Sequence, residues 1–117
     1  KVYPPPSKAL LSRVRKLMTR KGREELRHFL VEGPCLVKEC FLSGRIPRNL
    51  IFSDSASEGI HSEIEPFLIN HKNLPCWTLS QKDFKSLCDT ITPQGILGEF
   101  DQPHQPSFDL FGKWQHP

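Results

Sequence analysis

No apolar run in these 117 residues approaches the roughly 20 that a membrane-spanning helix needs. Seven glycines and eleven prolines are too few and too scattered for a fibrous repeat, and no internal repeat is visible. The start of the chain, Lys1 to Ser7 with Pro4, Pro5 and Pro6, lacks the apolar centre of a secretory signal. Familiar catalytic constellations are missing as well: there is no Gly-rich phosphate loop, no G-x-S-x-G elbow and no H-E-x-x-H. Cys35, Cys40, Cys76 and Cys88 form no C-x-x-C pair, and the five histidines fall at no zinc-ligand spacing, so no metal site is expected. The four cysteines read as reduced residues of an intracellular protein, most of them in the core. Sequence separation alone does not bring Asp83, Asp89 and Glu99 together. No catalytic and no cofactor-binding residue is therefore assigned.

What is present describes one globular domain. With 37% hydrophobic and 25% charged residues, the chain is too apolar for a disordered segment and long enough for a single core. Ser7 is placed to cap a helix running to about Thr19, in which Leu10, Leu11, Val14, Leu17 and Met18 fall on one face. Phe29-Leu30-Val31 has the character of a buried strand. Pro34 suits the first turn of a following helix, with Leu36, Val37, Cys40 and Phe41 as its buried face and Gly44 as its terminator. Leu50-Ile51-Phe52 is a second strand, followed by a polar loop from Ser53 to Gly59. Ile60, Ile64, Phe67 and Leu68 have helical spacing, with Pro66 expected to start or kink that helix. Cys76 to Leu79 is a third strand. Ser80-Gln81-Lys82-Asp83 resembles a capping box that opens a helix buried through Phe84, Leu87 and Cys88. Thr92 to Gly95 is a turn, and Ile96 to Phe100 a fourth strand.

Helices alternating with strands predict an α/β fold: a three-layer α/β/α sandwich around a small, roughly four-stranded, mostly parallel or mixed sheet. Residues 1–6 are expected to be disordered, residues 7–101 to form the domain, and residues 102–117, rich in Pro, His and Gln, to be a linker.

Charge is uneven. The net charge is only +3, yet residues 1–27 hold nine Lys or Arg against Glu24 and Glu25, a local +7 that leaves −4 for the rest. Along the first helix, Arg13, Arg15, Lys16 and Arg20 fall opposite the apolar face. Arg20-Lys21-Gly22-Arg23 then reads as an adaptable loop, with Gly22 free to take a positive φ. A cationic helix running into such a loop can follow a phosphate backbone, positioning a nucleic acid without specifying its sequence. The RNA-binding candidates are Arg13, Lys16, Arg20, Lys21 and Arg23. Trp77 and Trp114 have the chemistry to stack on bases, but Trp77 in a strand fits a core position better. Glu32 and Gln94 fit loop-organising roles, as does Gly33.

Arg20-Lys21-x-Arg23, Phe29-Leu30-Val31-Glu32-Gly33, Val37-Lys38-Glu39 and Thr92-Pro93-Gln94-Gly95-Ile96 follow one another at a familiar spacing. Together they resemble the N-terminal substrate-binding domain of SpoU (TrmH-like) RNA 2′-O-ribose methyltransferases, over roughly Ser7 to Phe100. At Pro34-Cys35 the sequence departs from the family, many of whose members have an arginine there. The resemblance implies an α/β domain similar to kink-turn-binding ribosomal proteins, placed before a knotted catalytic domain. It also implies that S-adenosylmethionine and the catalytic arginine belong to that second domain, whose N-x-G-x-x-x-R segment does not occur here.

The 117 residues are therefore expected to be a catalytically inactive part of an enzyme, with RNA, and rRNA first, as partner. The parent is expected to be a homodimer and this part a monomer. The resemblance to organellar rRNA enzymes, with a Cys- and Ser-rich composition, implies a mitochondrial setting. Two alternatives remain: a stand-alone kink-turn-type RNA-binding protein, and a protein-interaction domain whose basic helix docks an acidic partner.

Overall fold

The computed structural model describes residues 3–88 and 93–103. Thr92 of the T-P-Q-G-I segment, Asp89, Trp114 and the expected linker from residue 104 onward lie outside them. The elements in chain order are α1 (Lys8–Lys16), α2 (Arg20–Leu26), β1 (His28–Glu32), α3 (Pro34–Leu42), β2 (Asn49–Ser53), α4 (Glu58–Ile69), β3 (Cys76–Leu79), α5 (Gln81–Lys85) and β4 (Ile96–Asp101).

The four strands form one mixed sheet in the order β1-β4-β2-β3. β2 and β3 are parallel, while β4, last in sequence, lies between β1 and β2 and is antiparallel to both. Strand alternation sends side chains to two faces. Val31, Leu50, Phe52, Ile96 and Phe100 meet Val37 and Phe41 of α3 and Ile64 of α4 on one face. Ile51, Leu79 and Leu97 meet Val14 of α1 and Phe84 and Leu87 at α5 on the other. Helices on both faces of the sheet give the expected three layers.

Local chemistry accounts for most boundaries. Ser7, Ser57 and Ser80 each accept a hydrogen bond from the backbone N–H three residues on, capping α1, α4 and α5. Pro34 opens α3, and Gly44 lies just past its end at φ 91°. α4 runs through Pro66 as one helix that already begins at Glu58, so Pro66 does not start it. Leu36, expected in the buried face of α3, is 56% exposed. It precedes Val37, and only one of two neighbours 100° apart on a nine-residue helix can point straight at the sheet.

Two further expectations are corrected. The Arg20–Arg23 segment is the first turn of α2, capped by the Thr19 hydroxyl, which accepts from Gly22 N–H at 3.0 Å. Gly22 is buried with helical backbone, and a Cβ there would lie 1.9 Å from the carbonyl oxygen of Lys16. Glycine is needed for close approach of α2 to the end of α1, not for a positive φ. At the N-terminus, Tyr3 and Pro4 are tied to β3 rather than disordered. Tyr3 N–H donates to Thr78 Oγ1 at 3.0 Å, Thr78 N–H donates to the Pro4 carbonyl at 2.9 Å, and the Tyr3 ring stacks on Phe52. Two residues thus cover part of an otherwise open sheet edge.

Candidate nucleic-acid interface

Val14 is the fully buried residue of α1, and it sets the direction of everything else on that helix. Arg13, one step back, lies on the flank that overlooks β4, where its Nη2 donates to Glu99 Oε1 at 2.7 Å. Glu99 is 1% exposed and also accepts from Asn49 Nδ2 at 2.9 Å, while His28 Nδ1 lies 2.8 Å from its second oxygen. Burial alone would push the Glu99 carboxyl up. The bonds from Arg13, Asn49 and His28 outweigh it and hold the group below its ordinary range.

The network continues outward in both directions. Asn49 Oδ1 accepts from the Trp77 indole N–H at 2.8 Å, and His28 Nε2 lies 3.2 Å from Asp101 Oδ1, which also takes a bond from Arg48. Trp77 is half-buried and satisfied there, in a core-flanking position rather than on a stacking platform.

The five candidate RNA contacts therefore divide. Lys16, Arg20 and Lys21 are exposed. Arg13 is bound to Glu99, and Arg23 Nη1 donates to the Leu17 carbonyl at 3.0 Å, stitching α2 to the end of α1. Arg20 is paired with Glu24 at 3.2 Å along α2. Sequence reasoning missed Glu99 and its partners. The available signal was the alternation in β4, which sets Glu99 on the same face as buried Leu97 and so requires a cation opposite it.

A second polar cluster joins the two motif loops. Glu32 Oε2 accepts the Gln94 backbone N–H, Gly33 N–H donates to Ile96 O at 2.9 Å, and Ser53 N–H donates to Gly95 O at 2.9 Å. The Gln94 side chain lies over Gly33, 3.4 Å from where a Cβ would stand. Glu32, Gly33 and Gln94 are thus brought together across 62 residues of sequence. Glu99 thus has three partners, Arg13, Asn49 and His28. Among the described residues, no group of three or more His, Cys, Asp or Glu is placed to hold a metal ion, and no helix is long and apolar enough to cross a membrane.

Residues 9–98 match the family model of the MRM3-like substrate-binding domain. The chain belongs to that family. The MRM3-like domain is 31% identical over 91 residues to the 23S rRNA (guanosine(2553)-2′-O)-methyltransferase RlmP of Bacillus subtilis, a match over 78% of this chain and 34% of that one. The chain thus spans about a third of the length of the curated relative it matches. Among solved structures it is similar to an rRNA methyltransferase from Sinorhizobium meliloti, with a TM-score of 0.67 and 21% identity, covering 93% of this chain and 39% of that one. It is also similar to a TrmH-family protein from Porphyromonas gingivalis, with a TM-score of 0.61 and 26% identity, over 86% and 37% of the two chains. The three-layer architecture of the MRM3-like domain is therefore that of these neighbours.

Proposed function

We propose that this MRM3-like domain recognises RNA, rRNA first, on behalf of an S-adenosylmethionine-dependent RNA 2′-O-ribose methyltransferase of which it forms one part. The observation that carries this reading is the match to RlmP: nearly four-fifths of this chain corresponds to about one-third of an enzyme whose name specifies 2′-O-methylation of 23S rRNA. Residues 7–101 would be the RNA-binding domain and residues 102–117 a linker toward the catalytic part, where the cofactor and the methyl transfer belong. A homodimeric parent and a mitochondrial setting complete the proposal. They are supported by the resemblance of the motifs to the SpoU family and to organellar rRNA enzymes, and are tested by sedimentation and by cell fractionation.

Within the domain, Lys16, Arg20 and Lys21 would contact phosphates, while Arg13 and Arg23 hold α1 and α2 in place. The test is a titration with a short rRNA hairpin at two salt concentrations. Binding should weaken steeply with salt, and replacing Lys16, Arg20 and Lys21 with Ala should flatten the log–log slope by about 2–3, at 0.7–0.9 per phosphate contact. Equal slopes for parent and triple variant would leave the acidic-protein partner ahead. Calorimetry with S-adenosylmethionine should detect no binding to this chain, and micromolar binding would refute the division of labour.

A further inference from the structure

α2 is a weaker cationic surface than its sequence suggests. Its exposed Arg20, Lys21 and Arg27 share the helix and its cap with exposed Glu24 and Glu25, and Arg20 is already paired. The outer side of α1 differs. It carries Lys8, Arg15 and Lys16 with no acidic residue in the helix. At 100° per residue, Lys8, Ser12, Arg15 and Lys16 fall within an arc of about 100° turned away from Val14, with Lys16 at the edge nearest Arg13.

That side meets α5. Arg15 Nη2 lies 3.4 Å from Ser86 Oγ, and Ser86 is one turn beyond Lys82 and next to Lys85, so the three share a face. Lys82 and Lys85 are exposed, and Phe84 between them is fully buried against the sheet beside Val14. Two helices that bury one side in the same cluster thus present five cations, Lys8, Arg15, Lys16, Lys82 and Lys85, around two small hydroxyls. Asp83 is the one exposed acid on either helix. Asp54 nearby is engaged at the start of α5, accepting Gln81 N–H at 3.0 Å.

We infer that the α1–α5 face is a phosphate-backbone surface, with Lys82 and Lys85 as contacts for nucleic acid. This rests on the RNA reading above and gives it a footprint. A protein partner fits the face poorly, because interface cores use buried apolar or aromatic anchors. Among the described residues, the exposed large hydrophobic ones, Leu36, Leu42, Ile46 and Ile69, belong to α3, α4 and the loop after α3, none to α1 or α5. Lys8 and Lys16 are about 12 Å apart along α1, at 1.5 Å per residue, a span suited to several phosphates of one strand. Contacts of this kind position an RNA duplex without reading its bases.

The experiment titrates a 20-nucleotide RNA stem-loop into the full chain at two salt concentrations, following anisotropy. Replacing Lys82 and Lys85 with Ala should lower the log–log salt slope by about 1.4–1.8, the value of two phosphate contacts. Replacing both with Arg should keep the slope, and Lys72→Ala, in the turn after α4, should leave it unchanged. Matching thermal midpoints would exclude a folding defect. If the parent binds with a steep slope and the double Ala variant is indistinguishable from it, the footprint is wrong while the RNA reading stands. If the parent binds no RNA, or if polyglutamate displaces RNA at equal charge concentration, both fall.

Discussion

Arg13 and Glu99 stand 86 residues apart in sequence and 2.7 Å apart in space, joining the first helix to the central strand. Glu99 is buried and the Arg13 side chain is 37% exposed, so the pair lies at the border between core and solvent. Its function is architectural. It fixes the rotation of α1, and with it the direction in which Lys8, Arg15 and Lys16 point.

Replacing Glu99 with Ala leaves Arg13, His28 and Asn49 without their shared acceptor. Breaking a buried pair in this way costs about 3–5 kcal/mol. Because Arg13 retains contact with water, the lower end of that range is expected. Urea denaturation measures it, and a loss below about 1 kcal/mol would mean that the network contributes little.

The same carboxylate predicts a pH dependence. Its folded pKa is depressed, so its stabilisation is fully present above the unfolded value of about 4.3 and is lost as pH falls through the folded pKa. Stability should fall in acid below about pH 4.3, and Glu99→Gln should be less stable at neutral pH but show a shallower acid loss. Parallel pH profiles for parent and variant would assign the acid sensitivity to other carboxylates.

Gly22→Ala should destabilise the domain by about 1–3 kcal/mol, because the added methyl meets the Lys16 backbone, which has no rotamer to escape into. For a domain of this size that corresponds to a melting temperature lower by roughly 4–8 °C per kcal/mol. A gain in stability from alanine would contradict the close approach of Gly22 to the Lys16 backbone.

Ile51 is 1% exposed, pointing from β2 toward α1 and α5. Ile51→Ala should cost on the order of 2–5 kcal/mol, and an unchanged denaturation midpoint would contradict its place in the core.

Those elements governed by local chemistry could be read in the sequence. Ser7 and Ser80 mark helix starts because a hydroxyl satisfies a free N–H, Pro34 marks another because its missing N–H is not needed there, and apolar triplets mark the strands. Long-range choices could not be read. Nothing in Ile96–Asp101 says that it will enter between β1 and β2. Nothing in R-K-G-R separates a glycine needed for positive φ from one needed for close approach, since both requirements select the same residue. The cationic surface was legible only in its contiguous part. Lys82 and Lys85 belong with Arg15 through folding alone, some 70 residues away. Arg13 looked like its neighbours until β4 supplied a buried carboxylate beneath it.

The position of β4 also bears on synthesis and on mechanical load. Among the described residues β1 has no strand beside it other than β4, so until the ribosome has released residues 96–101 their nascent sheet consists of β2 and β3 alone. Closure is then a single late event that secures both halves together. Because the chain leaves the sheet from this central strand, tension on the segment after Asp101 would have to shear β4 from two antiparallel neighbours at once, with His28 and Arg48 clamped to its last residue. A pull from that side would meet a strand held on both sides instead of peeling away an edge.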